Sequence, residues 1–242
     1  MNISLCILII NRGIFMQRTI KEAFKASIPI MMGYIVLGMA FGMLLESKGY
    51  GVIYALLMSV FIYAGSMQFV TINLLTSGAT LLSTALMTFL INARHMVYGL
   101  SMIQKFKDMG KRKPYMIFSL TDETYSLLVG SQAPEGCNEK EYLFFIALFD
   151  QCYWIIGSVM GSLIGSMISI NTTGLDFAMT ALFIVIVVEQ FLSSKQHVYT
   201  YLGFIVSICC LIVFKADAFI IPSMIGIIVG LLVMYKGGQR DA

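Results

Sequence analysis

Acidic and basic side chains are scarce in this sequence. Between Val52 and Ile103 there is no Asp, Glu or Lys, and the only charge-capable residues are the adjacent Arg94 and His95. Charged residues make up 12% of the 242-residue chain, half the roughly 25% usual in soluble domains, while hydrophobic residues reach 58%. This balance excludes a water-soluble globule with a charged shell and names a lipid bilayer as the surrounding solvent. The net charge is only +3, which suits basic residues that set membrane topology and argues against nucleic-acid binding.

Other absences exclude chemistry. The five cysteines, Cys6, Cys137, Cys152, Cys209 and Cys210, are isolated or adjacent in apolar runs. They supply no disulfide framework and no metal-ligand spacing. Only two histidines exist, His95 and His197, with no His-Glu-x-x-His frame, no Gly-x-Gly-Asp aspartate pair and no serine with a histidine partner. Intramembrane proteolysis therefore has no residues to run on. No catalytic residue, metal or cofactor is expected, and the chain reads as a membrane protein without enzymatic activity.

What is present is a series of apolar segments: 27–45, 52–75, 79–103, 142–170, 177–192, 198–214 and 218–235, with a weaker one at 115–130 that carries Asp122 and Glu123. Most approach the ~20 residues that cross a bilayer. The expected fold is all-α, a polytopic transmembrane bundle of about six to eight membrane segments in one domain, 16–242. Residues 1–15 are too short to span and lack a signal-peptide pattern, so they are expected to be a dispensable N-terminal extension. Basic residues are retained in the cytoplasm. Arg18, Lys21 and Lys25 place the N-terminus there, Lys105, Lys107, Lys111, Arg112 and Lys113 the central loop, and Lys236 and Arg240 the C-terminus. The stretch 52–103 must then return the chain an odd number of times although it is long enough for two crossings, so at least one segment is expected to be broken or re-entrant. Ala64-Gly65-Ser66 is the natural break, with Ser66 able to cap a new half-helix.

A helix that starts mid-membrane exposes N–H groups at the positive end of its dipole and suits a carboxylate. Tyr63, Gly65, Ser66 and Gln68 form this candidate binding segment; close helix packing at Gly65 and Ser66 is the plainer reading. In Asn92-Ala93-Arg94-His95-Met96-Val97-Tyr98, Arg94 and Tyr98 share a helical face, as do Asn92 and His95. Arg94 can hold a substrate carboxylate or a protein acid, and His95 can exchange a proton. Alternatively, Arg94 snorkels to the headgroups. Two similar frames, Leu120-Thr121-Asp122-Glu123-Thr124-Tyr125 and Leu148-Phe149-Asp150-Gln151-Cys152-Tyr153, each set an acid three residues before a tyrosine. Burial favours the neutral acid and pairing with Arg94 the charged one. That competition is what a proton-coupled transporter needs at Asp122, Glu123 or Asp150, although a structural ion pair has the same sequence. Gly38 and Gly42, Gly157, Gly161 and Gly165, and Gly226 and Gly230 repeat at four and form close-packing faces, within the chain or toward a partner subunit.

Taken in order, Tyr63-Ala64-Gly65-Ser66-Met67-Gln68-Phe69, Asn92-Ala93-Arg94-His95-Met96-Val97-Tyr98, Thr121-Asp122-Glu123-Thr124 and Asp150-Gln151-Cys152-Tyr153-Trp154-Ile155-Ile156-Gly157 resemble the AzlC family of azaleucine-resistance, branched-chain amino acid export permeases. The resemblance covers roughly residues 20–235. It implies efflux of leucine, isoleucine, valine or analogues across a bacterial inner membrane, with a small AzlD-type membrane subunit as partner. At Gln151-Cys152 the chain departs from the more aromatic pair expected, which bears on substrate range. A channel, or a non-transporting receptor or assembly subunit, is the alternative reading.

Overall fold

The computed structural model describes residues 3–168, 174, 177, 181, 184, 187–188, 191–192 and 197–238. Among them there is no strand, and the chain folds as helices α1 (Ile3–Ser47), α2 (Val52–Phe61), α3 (Gly65–Thr76), α4 (Leu81–Ser101), α5 (Lys113–Phe118), α6 (Asp122–Gly130), α7 (Glu139–Met167), α8 (Val198–Ala218) and α9 (Ile220–Gly238). The all-α membrane architecture expected from the sequence is the one observed. Phe15–Ser47, Glu139–Met167 and Val198–Lys215 are long and apolar enough to cross a bilayer. Sequence segment 177–192 falls largely outside the described residues, as does Lys195, expected from the sequence to be cytoplasmic.

The helices form two compact units, one of residues Met1–Ala79 with His95–Ala178 and the other of Thr80–Arg94 with Met179–Ala242. In the first unit α1 and α7 pack at backbone distance. A Cβ built on Gly42 would lie 2.1 Å from the Ser158 carbonyl oxygen, and one on Gly161 would lie 2.1 Å from that of Met39. Membrane helices have little hydrophobic drive to associate with one another, so stability comes from close van der Waals contact, which only small residues allow. The glycine stripes of α1 and α7 therefore serve intrachain packing. Beside them Ser162 donates a 2.6 Å hydrogen bond to Glu46. In the second unit Gly226 and Gly230 of α9 face the side chains of Val206 and Leu202 of α8 rather than backbone. Ile205, Ile212 and Val213 of α8 stay exposed, as a lipid-facing surface requires.

The expected break is present. Between α2 and α3 the helix stops at 62–64, where Tyr63 takes a φ of 43°, and α2 and α3 have 10 and 12 residues. At 1.5 Å per residue each reaches about half the ~30 Å hydrocarbon thickness. One detail differs from expectation: the N-cap of α3 is Ala64, without a side-chain cap, and Ser66 lies inside the first turn. From the sequence, Pro29 and Pro222 are each expected near a helix start, where a missing N–H costs little, and proline placement differs too. Pro222 sits near the start of α9, but Pro29 lies inside α1 rather than near a helix start. The helix continues unbroken through residue 16, so the expected N-terminal extension prolongs α1.

The weak segment at 115–130 is two short helices, α5 and α6, parted at Ser119–Thr121. A buried cluster including Ala23, Met102, Phe106, Met116, Leu128, Leu143 and Ile146 fastens them to α1, the central loop and α7. Lys105 donates to the Leu128 and Ser131 carbonyls at 2.5 and 2.8 Å and so closes the C-terminal end of α6. Arg112 lies 3.7 Å from Glu141 and over the Phe144 ring. Two of the five basic residues in the central loop thus hold structure together.

Glycine replacement tests this packing. Gly161→Ala and Gly42→Ala each drive a Cβ into backbone and should cost ~1–3 kcal/mol, the usual overpacking range. Gly203→Ala meets nothing within 4 Å and should be neutral or slightly stabilising. Thermal unfolding midpoints of the three detergent-purified variants measure the contrast.

Candidate functional site

The candidate site grows from the start of α6. Thr121 is the N-cap of that helix, its hydroxyl accepting from the Thr124 amide at 3.3 Å, and Asp122 and Glu123 occupy the first turn, where the helix dipole favours acids. This local chemistry turns the acids toward α1 and α4. Tyr34 of α1 donates to Glu123 Oε2 at 2.9 Å and also bonds the Thr121 hydroxyl. Tyr98 of α4 donates to Asp122 Oδ1 at 2.8 Å and stacks on Tyr125, whose hydroxyl accepts from Ser101.

Asp150 of α7 is fully buried. Its Oδ2 accepts from the Thr124 hydroxyl at 2.9 Å, while its Oδ1 has no hydrogen-bond partner among the described residues. A buried carboxyl oxygen without a donor is costly, which makes Asp150 a candidate for holding another group. The tyrosine three residues on, Tyr153, instead shares a 2.9 Å hydrogen bond with Ser27. The acid-to-tyrosine spacing read from the sequence therefore sends Asp150 and Tyr153 to different partners, because their hydroxyl and carboxyl neighbours come from other helices.

One turn beyond Asp150, Trp154 lies against the α2–α3 break. A Cβ on Gly65 would come within 3.2 Å of its ring, and its Nε1 donates to Gln68 Oε1 at 2.9 Å. Gln68 is fully buried and reaches Ser59 at 3.4 Å. Gln151 spans the same gap: its Nε2 donates to the Val60 carbonyl at 3.2 Å and its Oε1 accepts from Tyr115 at 2.7 Å. A helix end leaves carbonyls without intrahelical donors, and Gln151 satisfies one of them. The broken helix is thus held by side chains of α7, next to the buried acid.

The sequence comparisons bear on this geometry. The family model described as AzlC protein matches residues 29–168. The chain belongs to the AzlC family. A Helicobacter pylori (strain ATCC 700392 / 26695) protein named as an uncharacterized membrane protein is 42% identical over 219 residues, 90% of this chain and 96% of the relative. The Bacillus subtilis (strain 168) branched-chain amino acid transport protein AzlC is 40% identical over 216 residues, 89% of this chain and 85% of the relative. Escherichia coli (strain K12) inner membrane protein YgaZ is 30% identical over 151 residues, 61% of this chain and 62% of the relative. No solved structure matches. The AzlC assignment makes this a membrane protein with a transport role and not an enzyme.

Of the candidate residues in this AzlC chain, Tyr63, Gly65, Ser66 and Gln68 lie at the break and in the first turns of α3, and Tyr98, Asp122, Glu123 and Asp150 join the hydrogen-bonded groups above. His95 packs its ring 5.8 Å from that of Tyr98. Asn92 and Arg94 fall in the second unit, where Arg94 is half-buried and Asn92 Oδ1 is buried without a partner among the described residues. Tyr34, Thr124, Gln151 and Trp154 were not among the expected site residues. Only the Asp-Glu-Thr and Asp-Gln-Cys-Tyr-Trp blocks hinted at the last three, and nothing in the apolar run around Tyr34 marked it. Trp154→Phe keeps the ring but strands Gln68 Oε1, so it should cost ~1–3 kcal/mol of stability. The double variant Gln68→Leu/Trp154→Phe should lose less than the sum of the two single variants, as a double-mutant cycle of unfolding midpoints would show.

Proposed function

We propose that this AzlC-family protein exports branched-chain amino acids, leucine, isoleucine, valine or their analogues, across a bacterial plasma membrane in exchange for protons, together with a small AzlD-type membrane subunit. The observation that carries the reading is the buried Asp150, one carboxyl oxygen unpartnered among the described residues, one helical turn from the Trp154 that packs on the start of α3. A zwitterion needs an acid for its ammonium group and N–H donors or a cation for its carboxylate. Asp150 would serve the first, and the α3 amides at Gly65 and Ser66 the second. The apolar surroundings suit an aliphatic side chain. The substrate class is supported by the printed name of the Bacillus subtilis relative, and the membrane location by the apolar helices. Proton exchange follows from the same acid, since a carboxyl that alternates between ammonium and proton couples the two flows.

Orientation follows from the basic residues, with both termini and the central loop cytoplasmic. Gly110 has a φ of 55° and disfavours substitution, so a cysteine is better placed at the exposed Asp108. Asp108→Cys in intact cells should resist an impermeant thiol reagent and label after permeabilisation; rapid labelling from outside would place the loop on the other face.

Transport is tested in cells preloaded with labelled leucine and expressing the chain with and without its small partner. Wild type should drive leucine out against its gradient in an uncoupler-sensitive manner. Asp150→Asn, which keeps shape but cannot ionise, should lose that concentrative export by at least tenfold. An Asp150→Asn variant that still concentrates leucine outside would defeat the coupling role, and efflux that only dissipates a gradient in wild type would show a channel.

A further inference from the structure

Between Glu123 and Asp150 lies an unbroken series of hydroxyl groups. Glu123 Oε2 meets the Tyr34 hydroxyl at 2.9 Å, Tyr34 meets the Thr121 hydroxyl, Thr121 meets the Thr124 hydroxyl at 3.0 Å, and Thr124 meets Asp150 Oδ2 at 2.9 Å. The series draws on α1, the α6 cap and α7, and its hydroxyls and Asp150 are buried, whereas Glu123 is half-buried. Each hydroxyl has one proton to donate. Four links join five groups, yet three hydroxyls supply only three protons. With both acids ionised one link lacks a proton; one further proton, on either acid, fills all four.

We propose that Glu123, Tyr34, Thr121, Thr124 and Asp150 form a proton relay, with Glu123 as the exchanging end and Asp150 as the buried end. This deepens the export reading above and rests on it. In one arrangement the Glu123 carboxyl donates to Tyr34, Tyr34 to Thr121, Thr121 to Thr124 and Thr124 to the Asp150 carboxylate. Shifting each proton one link onward breaks four O–H bonds and forms four. Glu123 ends ionised, Asp150 ends protonated, and the hydroxyls are neutral before and after. The second arrangement runs in the opposite direction. Both suit Thr121, whose oxygen also accepts the Thr124 amide: in either arrangement it donates one proton and accepts two, filling both lone pairs. Once the ammonium group has left, protonation neutralises Asp150, so the emptied site returns carrying a proton in place of substrate. Rotation of the hydroxyls about their C–O bonds resets the relay.

The test uses the full chain with its partner and labelled leucine, comparing uncoupler-sensitive net export with leucine–leucine exchange, which needs no net proton movement. Tyr34→Phe and Thr124→Val keep ring and volume but remove a link. Both should slow net export at least tenfold; Tyr34→Phe, which makes no hydrogen bond to Asp150, should leave exchange within twofold of wild type, and Thr124→Ser should restore export. Net export in wild type should slow at least twofold in D2O, with exchange unchanged. Wild-type export rates in both Tyr34→Phe and Thr124→Val, with Asp150→Asn still defective, would overturn the relay while leaving coupling at Asp150 intact. Loss of exchange together with export in Tyr34→Phe would make the series a structural network and likewise overturn it. Concentrative export by Asp150→Asn would instead defeat the underlying reading.

Discussion

The backbone contact between α1 and α7 governs the rest of the first unit. Tyr34, Gly38 and Gly42 follow one another at four-residue spacing on α1, and Asp150, Trp154, Gly157 and Gly161 keep to one side of α7. The glycines bring the two backbones together, and the same faces therefore carry the tyrosine and the acid inward, away from lipid. In hydrocarbon an ionisable group is tolerated only where protein or a water-filled cavity surrounds it. Close packing thus does two things at once: it supplies the contact that holds helices together and it makes the enclosure in which Asp150 can sit.

The broken helix depends on that enclosure. Stopping a helix at 62–64 inside an apolar segment frees backbone groups that lipid cannot satisfy. Gln151 takes the Val60 carbonyl, Trp154 covers Gly65 and binds Gln68, and Tyr63 holds a left-handed backbone that a non-glycine residue adopts only at a cost of ~1–3 kcal/mol. Every one of these supports stands on α7 or packs near it. Gln151, which also accepts from Tyr115, is thereby a clamp on the break.

The helical class, the interruption near Gly65 and the packing role of the glycine stripes were legible because each leaves a local mark: apolar length, a small polar gap, a four-residue repeat. The partners of the acids were not. Asp122, Glu123 and Asp150 stood out as ionisable groups in apolar surroundings, but their hydroxyl partners, Tyr98, Tyr34 and Thr124 in that order, lie tens of residues away, and no periodicity links them. Ser66 and Pro29 show the same limit at short range. Capping is decided by which residue leaves helical dihedrals, here Ala64, and α1 tolerates Pro29 because its length and packing outweigh one missing donor. Lys105 reads as a topological charge by composition and proves to be a helix cap by position.

Hydroxyls are the economical choice between two acids in such an interior. An arginine or lysine beside Asp150 would satisfy Oδ1 permanently, hold the carboxyl ionised and leave no place for an arriving cation. Threonine and tyrosine both donate and accept, are neutral in either orientation, and stabilise the carboxylate and the carboxylic acid alike. A site meant to exchange one cation for another needs this indifference, because a fixed partner would bias it toward one state. With Thr124 on one oxygen of Asp150 and no partner for the other among the described residues, the acid is anchored but not neutralised. The scarcity of charge that marks the whole sequence is therefore most consequential here, where a fixed countercharge would defeat the proposed exchange.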